Sequence, residues 1–208
     1  MPKAEPLDII RAKTFPAFFI LDTSGSMAGP RIAALNDAVN DSVEQLFGLC
    51  RNIVHDVRIG ILEFHSRANW ITVGADGAPA LEPLEDLRRI ELRAGGLTAL
   101  GSALRELDAQ LSRQGLMRSE TGFKRPVILF TGDGSPTDDW RPALEHIRQN
   151  RWFQHAIRIA FAIGDDADEG VLAEVVGDPK AVVRCPEPGD LTELFRKVSV
   201  KAFLGSLG

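Results

Sequence analysis

The chain has 208 residues, of which 44% are hydrophobic and 25% are charged, and its formal net charge is -5. This length suits one sizeable α/β domain and is short for two. The negative charge argues against general affinity for nucleic acid or for an anionic membrane. We find no apolar stretch of the roughly 18 residues that a membrane helix needs, and no signal peptide, so we expect a cytoplasmic protein. Cys50 and Cys185 form no CxxC pair, which argues against a zinc site or a disulfide framework.

The first predicted strand covers residues 15–21, a short apolar run of the kind that is buried on both faces of a sheet. Residues 1–14 form a polar lead-in, so we place a single domain at 15–208. A long amphipathic helix is predicted at 30–49, where apolar residues recur at helical spacing and Pro30 stands near the start.

The rest of the chain alternates between strands and helices. A strand at 56–64 and an edge strand at 69–73 are predicted to pair antiparallel through a hairpin. Later strands are predicted at 126–130, 156–163 and 181–184, and later helices at 84–92, 99–114, 138–150, 168–176 and 190–203. This order predicts an α/β fold with a doubly wound, mostly parallel central sheet, one antiparallel edge strand and helices on both faces.

Three loops carry the residues with the clearest chemistry. Asp22 ends the first strand and is followed by Ser24 and Ser26, Thr98 closes a glycine-containing loop, and Asp133 follows the strand at 126–130. In a doubly wound sheet, such loops reach the same rim, where ligands usually bind. Two carboxylates and three hydroxyls suit a small hard cation such as Mg²⁺, which prefers six oxygen ligands and takes one or two carboxylates. The sequence therefore predicts a divalent metal site at this rim.

The segment Asp22-Thr23-Ser24-Gly25-Ser26-Met27, together with Thr98 and Asp133, resembles the metal-ion-dependent adhesion site of von Willebrand factor A domains. The resemblance spans nearly the whole chain and implies the Rossmann-like fold of that family. It implies hydroxyl ligands from Ser24, Ser26 and Thr98, with Asp22 and Asp133 binding directly or through water. It implies Mg²⁺, with Mn²⁺ or Ca²⁺ as alternatives, and an open coordination position that a partner protein fills with an aspartate or glutamate.

A closer resemblance is to the TerY-like branch of bacterial tellurium-resistance proteins, carried by residues 15–27, 95–104 and 133–140. This resemblance implies a role in tellurite resistance or chemical stress, and a kinase or phosphatase as partner. Gly132 departs from the pattern, since relatives usually have threonine there. The departure bears on hydrogen bonds around the metal more than on the ligands themselves.

Two other functions compete with a non-enzymatic binding module. Asp22 after an apolar strand resembles the nucleophile of haloacid-dehalogenase-type phosphatases, which would make the chain a magnesium-dependent phosphohydrolase or phosphotransferase. Those enzymes need a second aspartate two residues later as general acid, and Ser24 stands there instead. The sequence also has no GxxxxGK[ST] loop for nucleotide phosphates. The third hypothesis is a domain that holds a purely structural ion.

Other acidic residues lie near the predicted loops. Asp138 and Asp139 are interpreted as helix-capping residues at the start of the helix at 138–150. A run at Asp165, Asp166, Asp168 and Glu169 is interpreted as a solvated loop and helix start, in preference to a second cation site.

Overall fold

Seven strands form one sheet in the computed structural model, which describes residues 13–50 and 56–207. The strands are β1 (Thr14–Asp22), β2 (Asp56–Phe64), β3 (Ala68–Trp70), β4 (Glu82–Pro83), β5 (Val127–Gly132), β6 (Ile157–Ile163) and β7 (Val182–Cys185). The helices are α1 (Pro30–Cys50), α2 (Leu100–Gln110), α3 (Arg141–Ile147), α4 (Arg151–His155), α5 (Glu169–Val176) and α6 (Leu191–Leu207). None of the helices in the described ranges is long and apolar enough to cross a lipid bilayer.

The strand order is β3-β2-β1-β5-β6-β7, and β4 pairs with β2 beside this path. The pairs among β2, β1, β5, β6 and β7 are parallel, whereas β3 and the two-residue β4 pair antiparallel with β2. The predicted mostly parallel sheet with an antiparallel strand at its edge is confirmed, and β4 adds a second, very short antiparallel pairing.

Strand β1 is the centre of the fold because every one of its residues is buried. Its side chains alternate between the two faces of the sheet, as a strand requires. Phe15 and Phe19 pack with α1 and α6 on one face, and Phe18 and Ile20 pack with α2, α3 and α5 on the other. The continuous apolar run thus becomes a strand that is covered on both sides.

The predicted helix at 84–92 is wrong, because the structure has no regular helix there. Two asparagines of α1 bind this segment instead. Asn36 donates to the carbonyl of Leu92 at 3.0 Å and accepts from its N–H at 2.7 Å. Asn40 does the same with Ile90, at 2.9 and 2.8 Å. Because these bonds satisfy the backbone from outside, the segment needs no helix of its own.

The predicted helix at 138–150 is also wrong in its extent. Within this range the structure has only α3, which begins at Arg141, where the following proline suits a first helical turn, and ends at Ile147; α4 begins at Arg151, beyond the predicted end. Asp138 caps a different helix, since its carboxylate accepts from the N–H of Gly101 at 3.1 Å and of Ser102 at 3.2 Å, both in α2. Asn150 caps the start of α4 by accepting from the N–H of Trp152 at 2.9 Å.

The other predicted boundaries shift by a few residues. Helix α2 ends at Gln110, four residues before the predicted end, and Gly115 lies in the turn that follows. Strand β1 begins at Thr14, inside the predicted lead-in, and residues 1–12 of that lead-in lie outside the described residues.

Candidate metal centre

The candidate site lies where the two central strands end side by side. Strands β1 and β5 are parallel neighbours, and Leu21 is paired with Thr131. Asp22 is the last residue of β1, and Asp133 directly follows β5. From β1 the chain crosses to β2 on one side, while β5 lies on the other, so the site occupies the switch point at which open α/β sheets bind ligands.

The first loop holds a connected set of oxygen atoms. Oδ1 of Asp22 accepts from the N–H of Ser24 at 2.8 Å, which closes a tight turn. The hydroxyls of Ser24 and Ser26 lie 3.1 Å apart. Residues Gly25–Met27 then form a short 3₁₀ turn. Asp22 and Ser24 are each 1% exposed, whereas Ser26 is exposed to solvent.

Backbone hydrogen bonds join the second loop to the first. The N–H of Gly95 donates to the carbonyl of Thr23 at 2.9 Å, and the N–H of Gly25 donates to the carbonyl of Gly96 at 3.1 Å. Gly96 has a φ of +77°, and a Cβ there would lie 2.4 Å from the hydroxyl of Ser66, so a residue without a side chain is required. These bonds hold Thr98, which is buried, next to the first loop.

The third loop is joined to the second in the same way. The N–H of Thr98 donates to the hydroxyl of Thr137 at 3.1 Å, and the N–H of Thr137 donates to the carbonyl of Thr98 at 2.9 Å. Asp133 is buried at the start of this loop, and its Oδ1 accepts from the N–H of Ser135 at 3.1 Å. The structure therefore brings together the three loops that carry the predicted ligands.

Gly132 gives the carboxylate of Asp22 its space. A Cβ at position 132 would lie 2.7 Å from Oδ2 of Asp22, closer than two such atoms can approach. Any side chain in this backbone position would thus displace Asp22 or shift the strand end. Gly132 therefore affects the placement of Asp22 directly, and not only the hydrogen bonds around it.

The electrostatics of the site are unfavourable without a cation. Burial raises the pKa of Asp22 to about 7, against an ordinary value of 3.8, and the nearby charge of Asp133 raises it further, while hydrogen bonds from Ser24 act in the opposite direction. Two carboxylates that repel each other in a buried position are stabilised by a bound cation. The donor set, acids and hydroxyls, consists of the hard oxygen ligands that Mg²⁺ and Ca²⁺ take.

A small cavity opens beside Asp22. Its volume is about 10 Å³, which is the space of roughly one water-sized species. Asp22, Thr98 and Thr131 line it, together with Ser135. The hydroxyl of Thr131 is buried and has no hydrogen-bond partner among the described residues. The other lining residues are glycines and apolar side chains, so the cavity has room for one small polar species next to the oxygen atoms of Asp22, Thr98 and Thr131, which are the hard donors that a small cation takes.

Thr131 and Arg31 escaped the sequence analysis. The tripeptide Thr131-Gly132-Asp133 could have pointed to Thr131, because its hydroxyl lies at the end of an apolar strand, two residues before an acid. Arg31 gave no such signal. It lies at the start of α1, and its guanidinium pairs with Asp166, donates to the carbonyl of Ser26 at 3.4 Å and lies 3.9 Å from Asp133.

Three of the four acids in the run at 165–169, Asp166, Asp168 and Glu169, contact other parts of the protein. Asp166 pairs with Arg31, which lowers the pKa of this exposed carboxyl. Asp168 caps α5 by accepting from the N–H of Val171 at 3.1 Å, and Glu169 pairs with Arg184 at 2.5 Å. In the described part of the chain, no group of three or more His, Cys, Asp or Glu side chains is placed to hold a metal. A metal bound at the three loops would therefore need hydroxyl ligands as well as Asp22 and Asp133.

Comparison with known proteins identifies a family for most of the chain. The family model described as von Willebrand factor type A domain matches residues 18–197. None of the curated proteins matches the sequence.

Several solved structures share the fold. A von Willebrand factor type A protein from Catenulispora acidiphila superposes with a TM-score of 0.70 at 18% identity, over 92% of this chain and 43% of that one. Proximal thread matrix protein 1 from the mussel byssus, in a form with a zinc-occupied MIDAS motif, gives 0.59 at 14% identity, over 93% and 46%. The ArnB paralog VWA2 from Sulfolobus acidocaldarius gives 0.58 at 17%, over 90% and 45%. The chain thus spans less than half the length of these structures, and at such identity the likeness shows the fold alone.

Proposed function

The chain belongs to the von Willebrand factor type A family, and from this premise we propose that it is a non-enzymatic protein-binding module that depends on a divalent cation. The proposed ligands are Asp22, Ser24, Ser26, Thr98 and Asp133. A bound cation supplies a Lewis-acidic position with one coordination site open to a carboxylate oxygen. The partner protein presents an aspartate or glutamate to that site.

The observation that carries this proposal is the burial of Asp22 among hydroxyls drawn from separate loops. Its carboxylate contacts Ser24 and shares a small cavity with Thr98 and Thr131. Burial of an acid without a cationic partner is costly, and a raised pKa is the sign of that cost. A cation that is held mainly by neutral hydroxyls remains electron-poor and attracts one more anionic oxygen.

We propose Mg²⁺ as the ion in the cell, with Mn²⁺ or Ca²⁺ as alternatives. All proposed donors are oxygen atoms, and two of the five are carboxylates, as Mg²⁺ prefers. Zinc favours nitrogen and sulfur ligands, which are missing from this set. The zinc-occupied motif belongs to the mussel protein and is not transferred to this chain.

The surface beside the proposed ion suits a protein partner. Leu97 directly precedes Thr98, and the residue is 61% exposed. Ser26 and Ser135 are exposed on the neighbouring loops. A carboxylate bound at the ion would therefore be flanked by one apolar contact and several polar ones, which is the usual composition of a small protein interface.

The finer assignment rests on the TerY-like pattern of residues 15–27, 95–104 and 133–140. We propose a bacterial, cytoplasmic protein of a tellurite-resistance or chemical-stress system, whose partner is a kinase or phosphatase of that system. The chemistry of the site predicts an acidic partner residue; it does not itself predict tellurite.

The test is affinity capture from native lysate in Mg²⁺ and in EDTA, with wild type and Ser26→Ala side by side. The proposal predicts a captured protein that is lost in EDTA and with Ser26→Ala, and that no longer binds when its own contacting acid is changed to the amide. Capture that is indifferent to both changes would contradict it. So would turnover of a generic phosphate ester in Mg²⁺ that Asp22→Asn abolishes, since the same site would then be catalytic.

A further inference from the structure

A second surface lies at the opposite end of the sheet, where the chain enters β5 and β6. It is a groove of about 880 Å³. Four cationic side chains and two aromatic ones contribute to its lining, and we call it the basic groove: Arg113, Lys124, Arg125, Arg151, Phe123 and Trp152. Within the described part of the chain, no aspartate or glutamate lines it. In a protein whose net charge is -5, this is a local reversal of sign.

Three arginines of the basic groove, Arg113, Arg125 and Arg151, are not paired with an acid among the described residues. Arg125 donates to the carbonyls of His155 at 2.6 Å and Ala156 at 3.5 Å, and both acceptors are uncharged. Arg113 and Arg151 are exposed, and neither forms an ion pair with another residue in the described ranges. These guanidinium groups remain available to an anionic ligand.

The charge of Arg125 also acts on a neighbouring arginine outside the basic groove, Arg158. Burial lowers the pKa of the Arg158 guanidinium, and the charges of Arg125 and Arg148 lower it further. Like charges are therefore crowded together here, and an anion bound in the basic groove would relieve that crowding.

The two aromatic rings give the basic groove an apolar floor. Phe123 and Trp152 pack edge to face, with centroids 5.6 Å apart and an interplanar angle of 81°. Both side chains are half-buried. Aromatic and arginine side chains around a concave surface are the residues most enriched at the centres of protein interfaces.

We infer that the basic groove binds a short acidic segment of a protein partner, with carboxylates on Arg113, Arg125 and Arg151 and an apolar side chain on the Phe123–Trp152 pair. Its volume is in the range of ligand-sized clefts. The next cavity along the surface shares Phe123 and is lined by two acids, Asp56 and Glu120, and by two arginines, Arg58 and Arg118, so the excess of positive charge does not continue beyond the basic groove. A long polyanion such as a nucleic-acid strand would extend past the positive surface, whereas a short acidic segment would not.

The inference is independent of the proposed metal function, because the basic groove lies at the other end of the sheet and uses no metal. The probe is a fluorescein-labelled peptide of aspartates and glutamates around one phenylalanine, and anisotropy is measured in EDTA. Glutamine and asparagine replace the acids in a control peptide. The test variant is Arg151→Glu. Its matched control is the charge reversal Arg88→Glu, because Arg88 lines a different cavity.

We expect wild type and Arg88→Glu to bind the acidic peptide with equal affinity in EDTA, and Arg151→Glu to bind at least about tenfold more weakly, since about 1.4 kcal/mol is tenfold. Binding should weaken as ionic strength rises from about 0.05 M to about 0.5 M, because salt screens exposed charges. Equal binding of the neutral peptide, equal loss with Arg88→Glu, or no binding by folded wild type would overturn the inference. Tighter binding of an oligothymidylate than of the peptide would overturn the assignment to an acidic protein segment.

Discussion

Nη1 of Arg31 lies 3.9 Å from Oδ2 of Asp133, the acid that follows the central strand β5. The same guanidinium pairs with Asp166, whose side chain is largely exposed. A basic residue at the start of a helix opposes the helix dipole, so Arg31 depends on these acids for its position. The positive guanidinium of Arg31 thus lies beside Asp133, one of the proposed metal ligands, and its ion pair with Asp166 holds it toward solvent.

The first prediction follows from this shared guanidinium. Arg31→Met should tighten Mg²⁺ binding by about tenfold, because a charge about 4 Å from a carboxylate is worth a few kcal/mol even at an effective dielectric near 20. Asp166→Asn should weaken Mg²⁺ binding severalfold, since Arg31 is then free to pair with Asp133. Isothermal titration calorimetry with Mg²⁺ measures both effects.

Two controls make this prediction specific. In the Arg31→Met background, Asp166→Asn should change the affinity little. Arg93→Met removes the same charge from an exposed arginine that pairs with Glu91, and should leave the affinity as in wild type. If Arg31→Met and Arg93→Met shift the affinity equally, Arg31 acts only through the net charge of the protein.

The second prediction concerns pH and stability. The folded pKa of Asp22, about 7, lies above its ordinary value of 3.8, so the folded state holds this proton more tightly than the unfolded chain does. The stability of the metal-free protein should therefore fall as pH rises from about 4 to about 7. Asp22→Asn removes this loss and should raise the free energy of unfolding in EDTA at pH 8 by on the order of 2 kcal/mol.

Thermal unfolding in EDTA at pH 5 and pH 8 measures this effect as a difference between wild type and Asp22→Asn. Because groups far from the site titrate equally in both proteins, the difference reports on Asp22 and its immediate surroundings. Asp37→Asn, which changes an exposed acid of α1, serves as control. A gain from Asp22→Asn that is as large at pH 5 as at pH 8 would show that burial does not raise the pKa of Asp22.

The third prediction separates a binding site from a scaffold. Ser26 is exposed, and its hydroxyl contacts that of Ser24. Ser26→Ala should leave thermal unfolding in EDTA unchanged and weaken Mg²⁺ binding about tenfold, as loss of one ligand of roughly 1.4 kcal/mol implies. Thr192→Ala, outside the site loops, should change neither thermal unfolding nor Mg²⁺ binding. A large loss of stability in EDTA would mean that Ser26 acts in folding rather than in metal binding.

The fourth prediction tests why the segment at 84–92 is not a helix. Asn40 forms two hydrogen bonds with the backbone of Ile90, and Asn40→Ala should lower the free energy of unfolding by about 2 kcal/mol, because the N–H and C=O of Ile90 then lose their partner. Asp37→Ala on the exposed face of the same helix should cost much less. Urea denaturation compares the two. Equal effects would indicate that the loss comes from α1 alone.

Some features of the fold can be predicted from the sequence, and others cannot. The apolar run of β1 predicts its central position because burial on both faces leaves no other place for it. The segment at 84–92 was mispredicted because its hydrogen-bond partners, Asn36 and Asn40, lie about fifty residues earlier in the chain. The spacing of apolar residues within the segment cannot indicate such distant partners. Asp138 was predicted to cap its own helix, yet it caps α2, to which only the tertiary fold brings it.

The candidate site shows the same division. Asp22 and Asp133 could be predicted to lie together because the loops after parallel strands meet at one rim, and Thr98 could be added because it closes a glycine-containing loop just before a helix. The part played by Arg31 could not be, since it depends on how α1 leaves that rim and where Asp166 lies. The identity of the ligands and of the ion stays a prediction.

The most direct measurement is an anomalous-scattering map from crystals of the wild-type protein grown with Mn²⁺. The account predicts one strong peak within about 2.5 Å of the hydroxyls of Ser24, Ser26 and Thr98, with Asp22 and Asp133 bound directly or through water. A well-ordered site loop without a peak, or a peak that contacts none of these hydroxyls, would contradict it.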